Sequence, residues 1–86
     1  MSIKIYTWEE WKRAHPNSRV EEVHLDFTPT HAVFINKESR QKFKKPYKYI
    51  LNWSMKNCQF RYYGFNHHWW FFEKPSDVMK FKLTFM

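Results

Sequence analysis

The residues best suited to bind a metal ion are the histidines and the single cysteine. His67 and His68 are adjacent, and Cys58, His24 and His31 are the other candidate ligands. A structural zinc site uses four ligands in spaced pairs such as C-x-x-C or H-x-x-x-H. Neighbours in a strand point to opposite faces, so His67 and His68 would not face one ion. The spacing therefore argues against a metal site.

A second group with possible chemistry is His24, Asp26 and His31. If residues 20–27 form a strand, His24 and Asp26 share one face and lie near His31 across a hairpin, where an imidazole could be oriented for acid–base work. Polar residues on the outer face of a strand are, however, the ordinary pattern. Cys58 has no motif that would activate it and is expected in the core. The sequence therefore predicts a protein that is not an enzyme.

The glycine content excludes the common nucleotide-binding loops. The 86 residues include one glycine, Gly64, against nine Phe, five Trp and five Tyr. A dinucleotide fingerprint needs three glycines and a phosphate-binding P-loop needs two, because only glycine lets backbone amides approach a phosphate so closely. No cofactor is expected. The aromatic content is far above that of a disordered chain, so the protein should fold.

The positive charge is concentrated in the middle of the chain. The net charge is +7, and residues 37–56 alone carry seven basic residues and one acidic residue. Such an excess favours an anionic partner: nucleic acid, an acidic protein or an anionic membrane surface. The residues predicted to contact phosphates are Arg40, Lys42, Lys44, Lys45 and Lys48.

Basic and aromatic residues also alternate in the C-terminal half. The residues predicted to stack on bases or to flank them are Arg61, Tyr62, Tyr63, Trp69 and Trp70. Several small domains stack unpaired bases on a sheet that displays aromatics beside a cationic rim. Alternate residues of 69–72 point to opposite faces, so at least one pair of large rings is expected on an outer face unless both faces are covered. The rival interpretation is that these rings only build the core of a small domain.

The N-terminal half has clear local signals. Thr7 and Glu10 form a capping box that predicts a helix over about 8–15, after a short strand at residues 4–6. Alternating apolar residues predict a strand at 20–27, paired with 31–35 in a hairpin.

The C-terminal half is more ambiguous. Residues 46–57 fit an amphipathic helix, and a strand over 47–53 is the alternative. Residues 59–63 and 67–72 are expected to form a second hairpin. A last helix is expected from about Pro75, with residues 83–85 extended.

These elements predict one α+β domain over residues 1–86: a small antiparallel sheet of four to five strands, with two to three helices packed on one face. One cysteine cannot form an intramolecular disulfide, which suits a reducing cytoplasm. No apolar run approaches the about 20 residues needed to span a bilayer, so no membrane association is expected.

The last residues resemble a known kind of ending. Residues 71–85, FFEKPSDVMKFKLTF, combine an aromatic strand, an acidic helix cap, an Asp-Val step and Phe-Lys-Leu before a final aromatic. This stretch resembles the ending of small accessory proteins of T-even-like tailed bacteriophages. The resemblance implies a phage accessory protein in the host cytoplasm, and many such proteins disable a host or defence component. It supplies no catalytic residue, and the basic centre argues against mimicry of DNA.

Two hypotheses follow. The first is a non-enzymatic binding protein whose basic and aromatic surface engages nucleic acid or an acidic, nucleic-acid-handling protein. The second is a protein-binding inhibitor, or a homo-oligomeric interaction module, that uses the Trp-rich C-terminal half.

Overall fold

The computed structural model describes residues 3–36, 46–65 and 68–85. In chain order these residues form β1 (Ile3–Thr7), α1 (Trp8–Ala14), α2 (Val20–Val23), β2 (His31–Ile35), α3 (Pro46–Asn57), β3 (Tyr62–Phe65), β4 (Trp69–Phe72) and α4 (Pro75–Phe85). The predicted α+β class is confirmed. Within these three ranges, no helix has the length and apolar character needed to cross a membrane.

The four strands form one antiparallel sheet in the order β1-β2-β4-β3. Val33 in β2 lies between Ile5 of β1 and Trp70 of β4. Trp70 in turn faces Gly64 of β3, so β3 and β4 form the predicted second hairpin, although its first strand lies at Tyr62–Phe65 and not at residues 59–63. The central strands β2 and β4 carry large apolar residues on both faces, and both faces therefore need a cover.

Helices α3 and α4 cover the first face. They contribute Ile50, Val78 and Phe81 to what we call the first core. The other buried members of the first core are strand residues: Ile3, Val33, Ile35, Trp70 and Phe72. The helix over Pro46–Asn57 is confirmed, and the alternative strand is not formed.

Helices α1 and α2 cover the opposite face. The second core consists of Trp8, Trp11, Val20, Ala32 and Phe71. Helices thus pack on both faces of the sheet, whereas the sequence led us to expect them on one. The reason lies in the period of a strand: Ala32 and Val33, or Phe71 and Trp70, are neighbours in sequence and point into different cores.

The start of α1 forms as predicted. The Thr7 hydroxyl accepts a hydrogen bond from the backbone amide of Glu10 at 3.2 Å, and the Glu10 carboxylate accepts one from the Thr7 amide at 2.9 Å. These bonds lower the pKa of Glu10, because they favour its charged form. The strand therefore ends and the helix begins at one residue.

The predicted strand at residues 20–27 is wrong. Residues Val20–Val23 form a short helix in which Val20 is buried, while Val23 is 64% exposed. Arg19 forms an ion pair with Glu22 at 2.9 Å, three residues further on. The place beside β2 is occupied by β1, with five paired residues, so the predicted first hairpin does not exist.

The expected extended ending at residues 83–85 is also wrong, because α4 continues to Phe85. The Thr84 hydroxyl donates to the Lys80 carbonyl at 2.9 Å. The Phe85 ring packs on Phe81 at 4.6 Å and on Trp53 at 5.2 Å. Packing against α3 therefore decides the conformation of these residues.

Candidate functional site

Arg61 is held by carboxylates and a carbonyl. Its guanidinium donates to both carboxylate oxygens of Glu73, at 2.8 and 3.3 Å, and to the Asp26 carbonyl at 2.9 Å. These contacts raise the pKa of Arg61 and lower that of Glu73, chiefly through the hydrogen bonds between the two side chains. Arg61 thereby ties the start of β3 to the loop after α2, a structural task that competes with phosphate binding.

The two predicted tyrosines pack on opposite faces of β3. Tyr62 packs against the first core, and burial raises its pKa. Tyr63 packs against the second core, with its hydroxyl 3.2 Å from His24 Nδ1. The structure therefore separates them, and neither face of the hairpin presents both rings together.

The two predicted tryptophans are likewise separated. Trp70 is fully buried in the first core, so its ring is not available to stack on a base. Trp69 is half-buried and lies 5.0 Å from the ring of Phe34 and 5.8 Å from that of Tyr6. The expected pair of uncovered rings on this hairpin is absent, because α1 and α2 cover one face and α3 and α4 the other.

The five residues predicted to contact phosphates fall into two groups. Lys48 is exposed on α3. The others, Arg40, Lys42, Lys44 and Lys45, lie outside the described residues.

The described residues of α3 and α4 carry a different set of basic side chains. Lys48 and Lys56 of α3 and Lys82 of α4 are exposed, and Lys80 of α4 is partly exposed. We call these four residues the lysine face, although Lys80 and Lys82 are two residues apart and lie on opposite flanks of α4, on either side of the buried Phe81. Lys80 Nζ donates to the Asn57 carbonyl at 3.1 Å, which places a cation at the negative C-terminal end of α3.

No exposed carboxylate opposes the lysine face within these two helices. Helix α3 has no acidic residue, and α4 has one, Asp77. Asp77 is fully buried and accepts hydrogen bonds from the backbone amides of Gln59 at 3.1 Å and Phe60 at 3.0 Å. Its charge is therefore used to hold the turn before β3 and does not reach the surface.

The other helical layer carries charges of both signs. Helices α1 and α2 carry the four glutamates Glu9, Glu10, Glu21 and Glu22, all exposed. Glu21 pairs with Lys12 at 3.4 Å, and Glu22 pairs with Arg19. The four glutamates are thus largely balanced by Lys12, Arg13 and Arg19, whereas α3 and α4 carry four lysines and no exposed carboxylate.

A cleft runs along α3 and includes Lys56 of the lysine face. It has a volume of about 330 Å³ and is lined by Tyr49, Asn52, Trp53, Lys56 and Asn57. These positions follow the spacing i, i+3, i+4, i+7 and i+8, which is one side of a helix. A larger open cavity of about 570 Å³ lies beside Arg61, but Asp26 and Glu73 line it and disfavour an anion.

The candidate catalytic residues are not assembled. His24 lies beside Tyr63, Asp26 beside Arg61 at 4.0 Å, and His31 Nδ1 is 3.0 Å from the Thr30 hydroxyl. Each therefore has a different partner, and the hairpin that was to join them does not form.

Cys58 packs against the first core, as expected. Burial, with a smaller effect of the Asp77 charge, raises the pKa of its thiol to about 11. A thiol of that kind is protonated at neutral pH and is a weak nucleophile. His67 lies outside the described residues; among the rest, no three His, Cys, Asp or Glu side chains are grouped to hold a metal ion.

Sequence reasoning missed most of the lysine face and the cleft. The signal was present: residues 46–57 contain no acidic residue, and residues 75–85 contain one at an inward position. The sequence favoured the aromatic hairpin as the binding surface, because it does not show that both faces of the sheet are covered.

No protein-family model, no curated protein and no solved structure matches this chain. The function must therefore be argued from the chemistry of this surface.

Proposed function

We propose that this is a non-enzymatic binding protein that engages nucleic acid through the lysine face. The observation that carries the proposal is the sorting of charge: four lysines on α3 and α4 with the one carboxylate of these helices buried. Lysines attract the phosphate backbone and release its counterions, a gain that does not depend on base sequence.

The size of this effect can be worked out. Four phosphate contacts give a slope of log K against log[salt] of about −2.8 for a single strand and about −3.6 for a duplex. Affinity should then fall by about 50- to 150-fold between 50 and 200 mM salt. Lys80 can take part although it donates to Asn57, because an ammonium group has three donors.

The test is a salt series with two double variants of equal charge change. Lys48→Gln with Lys82→Gln removes two cations from the lysine face, and should make the slope shallower by about 1.4 to 1.8. Lys12→Gln with Arg13→Gln removes two cations from α1 and is the matched control. Equal slopes for both double variants and the wild type would refute the role of the lysine face.

The basic segment before α3 is tested separately, since residues 40–45 lie outside the described ranges. Lys44→Glu with Lys45→Glu should weaken binding further if this segment also contacts phosphates. Wild-type binding no stronger than that of an unrelated basic protein would contradict the proposal as a whole.

A second candidate function, binding of an acidic protein, is supported by α4. Met79 and Leu83 lie one turn apart on its outer side and are 57% and 78% exposed, next to Lys82. Exposed apolar side chains beside charges are typical of protein contact surfaces. A partner that co-purifies after nuclease treatment, and is lost with Met79→Ser plus Leu83→Ser, would favour this function.

A further inference from the structure

The cleft along α3 has features that a purely electrostatic surface does not need. Two aromatic side chains, Tyr49 and Trp53, lie one helical turn apart in its lining, and Tyr49 is 53% exposed. An exposed tyrosine beside a tryptophan offers a flat apolar surface to solvent. Phosphate contacts alone would not require it.

Both rings are held from behind by α4. Trp53 meets the rings of Phe81 at 5.7 Å and 86° and of Phe85 at 5.2 Å and 70°. Tyr49 meets Phe85 at 6.2 Å and 75°. Contacts of this kind hold the rings in place. A surface fixed in advance loses little conformational entropy when a ligand binds.

The polar lining fits an anionic ligand with hydrogen-bonding edges. Lys56 supplies a cation, and Asn52 supplies an amide that can both donate and accept. Lys80 lies at the Asn57 end of the cleft. The described residues that line it include no carboxylate. The volume of about 330 Å³ is at the small end of the range for ligand sites, which suits one flat ring and not an extended peptide.

We propose that this cleft binds an unpaired base of single-stranded nucleic acid. The base lies against Tyr49 and Trp53, Asn52 contacts its edge, and Lys56 contacts the adjoining phosphate. This inference rests on the proposed function and adds the class of ligand. Because bases in a duplex are stacked on each other, the cleft distinguishes single strands from duplexes, which the lysine face does not.

The test compares three labelled probes of equal length by fluorescence anisotropy: a single strand, the same strand without bases, and a duplex. Tyr49→Leu should weaken binding of the single strand by about 5- to 150-fold, the usual range for loss of one stacked base. It should leave the baseless strand and the salt slope unchanged, since no charge is removed. Tyr49→Phe keeps the ring and should keep the affinity.

Met55→Ala is the matched control, because Met55 is 66% exposed on the same helix but outside the cleft. Equal affinities for the single strand and the baseless strand, with no effect of Tyr49→Leu, would overturn the inference and leave the proposed function standing. Failure of the wild-type protein to bind any of the three probes at low salt would overturn both.

Discussion

Replacing Gly64 by alanine should destabilise the protein, because the indole ring of Trp70 lies against its α-carbon. A β-carbon at position 64 would be 2.8 Å from Trp70 Cη2, 2.9 Å from Cζ3 and 3.0 Å from Cζ2. Trp70 is fully buried, and Tyr47 packs on it at 5.4 Å, so the ring has no free space into which to move. The glycine is therefore required for the close approach of a strand to a side chain.

Two opposing effects set the change in the free energy of unfolding caused by Gly64→Ala. Alanine in a strand is favoured over glycine by roughly 0.5–1 kcal/mol, because glycine loses more backbone entropy on folding. Forcing an extra carbon into a packed core costs typically about 1–3 kcal/mol. Since the contact is with a buried ring, the second effect dominates, and we expect a net loss of about 1–2 kcal/mol. For a domain of this size that lowers Tm by roughly 5–15 °C.

The assay is urea unfolding followed by far-ultraviolet circular dichroism, with Gly64→Ala measured in two backgrounds. Trp70→Phe removes the outer ring of the indole, which carries the three contacted atoms. In that background Gly64→Ala should cost at least about 1 kcal/mol less than in the wild type. Equal costs in both backgrounds, or a Gly64→Ala protein as stable as the wild type, would refute the reasoning.

Two further predictions concern ionisable groups. Because the pKa of Cys58 is about 11, about one of its thiols in a thousand is ionised at pH 8. Alkylation by iodoacetamide should therefore be roughly a hundredfold slower than in a model peptide. A rate equal to that of the peptide would contradict the burial of Cys58. Because Arg61 lowers the pKa of Glu73, the pair should stabilise the fold above the usual carboxyl pKa of about 4.3 and lose this effect as the pH falls through the lowered value. Unfolding curves at descending pH should therefore show a smaller acid loss in Glu73→Gln than in the wild type, and identical pH dependence would count against the ion pair.

The sequence predicted those elements whose signal is local. The capping box at Thr7 and Glu10 fixed the start of α1, because both partners are within one turn. Proline at position 46 and the helical spacing that follows it predicted α3. The β3–β4 hairpin was found because two aromatic runs flank a short turn.

The failures came from non-local pairing. Leu25 and Phe27 do pack against the second core, but Val23 is exposed, so only part of the apolar pattern at residues 20–27 is buried. What could not be seen is that β1 fills the place beside β2. In the same way, no local signal shows that Trp70 and Trp69 are covered from different sides.

The cytoplasmic location and the phage origin stay predictions from the sequence.

The coverage of both sheet faces also explains where a binding surface can lie in this chain. The buried rings of Trp70, Phe71 and Phe72 pack between the sheet and its two helical layers, so they do not contact a partner. The outer sides of the described helices then offer broad surfaces to a large partner. Of these, the α1–α2 side carries four exposed glutamates that are largely balanced by Lys12, Arg13 and Arg19, and the α3–α4 side carries the lysine face and the exposed Tyr49. The aromatic surplus of the described residues is thus mostly structural, and the rings that we propose to bind a base are the two that α3 presents beside Lys56.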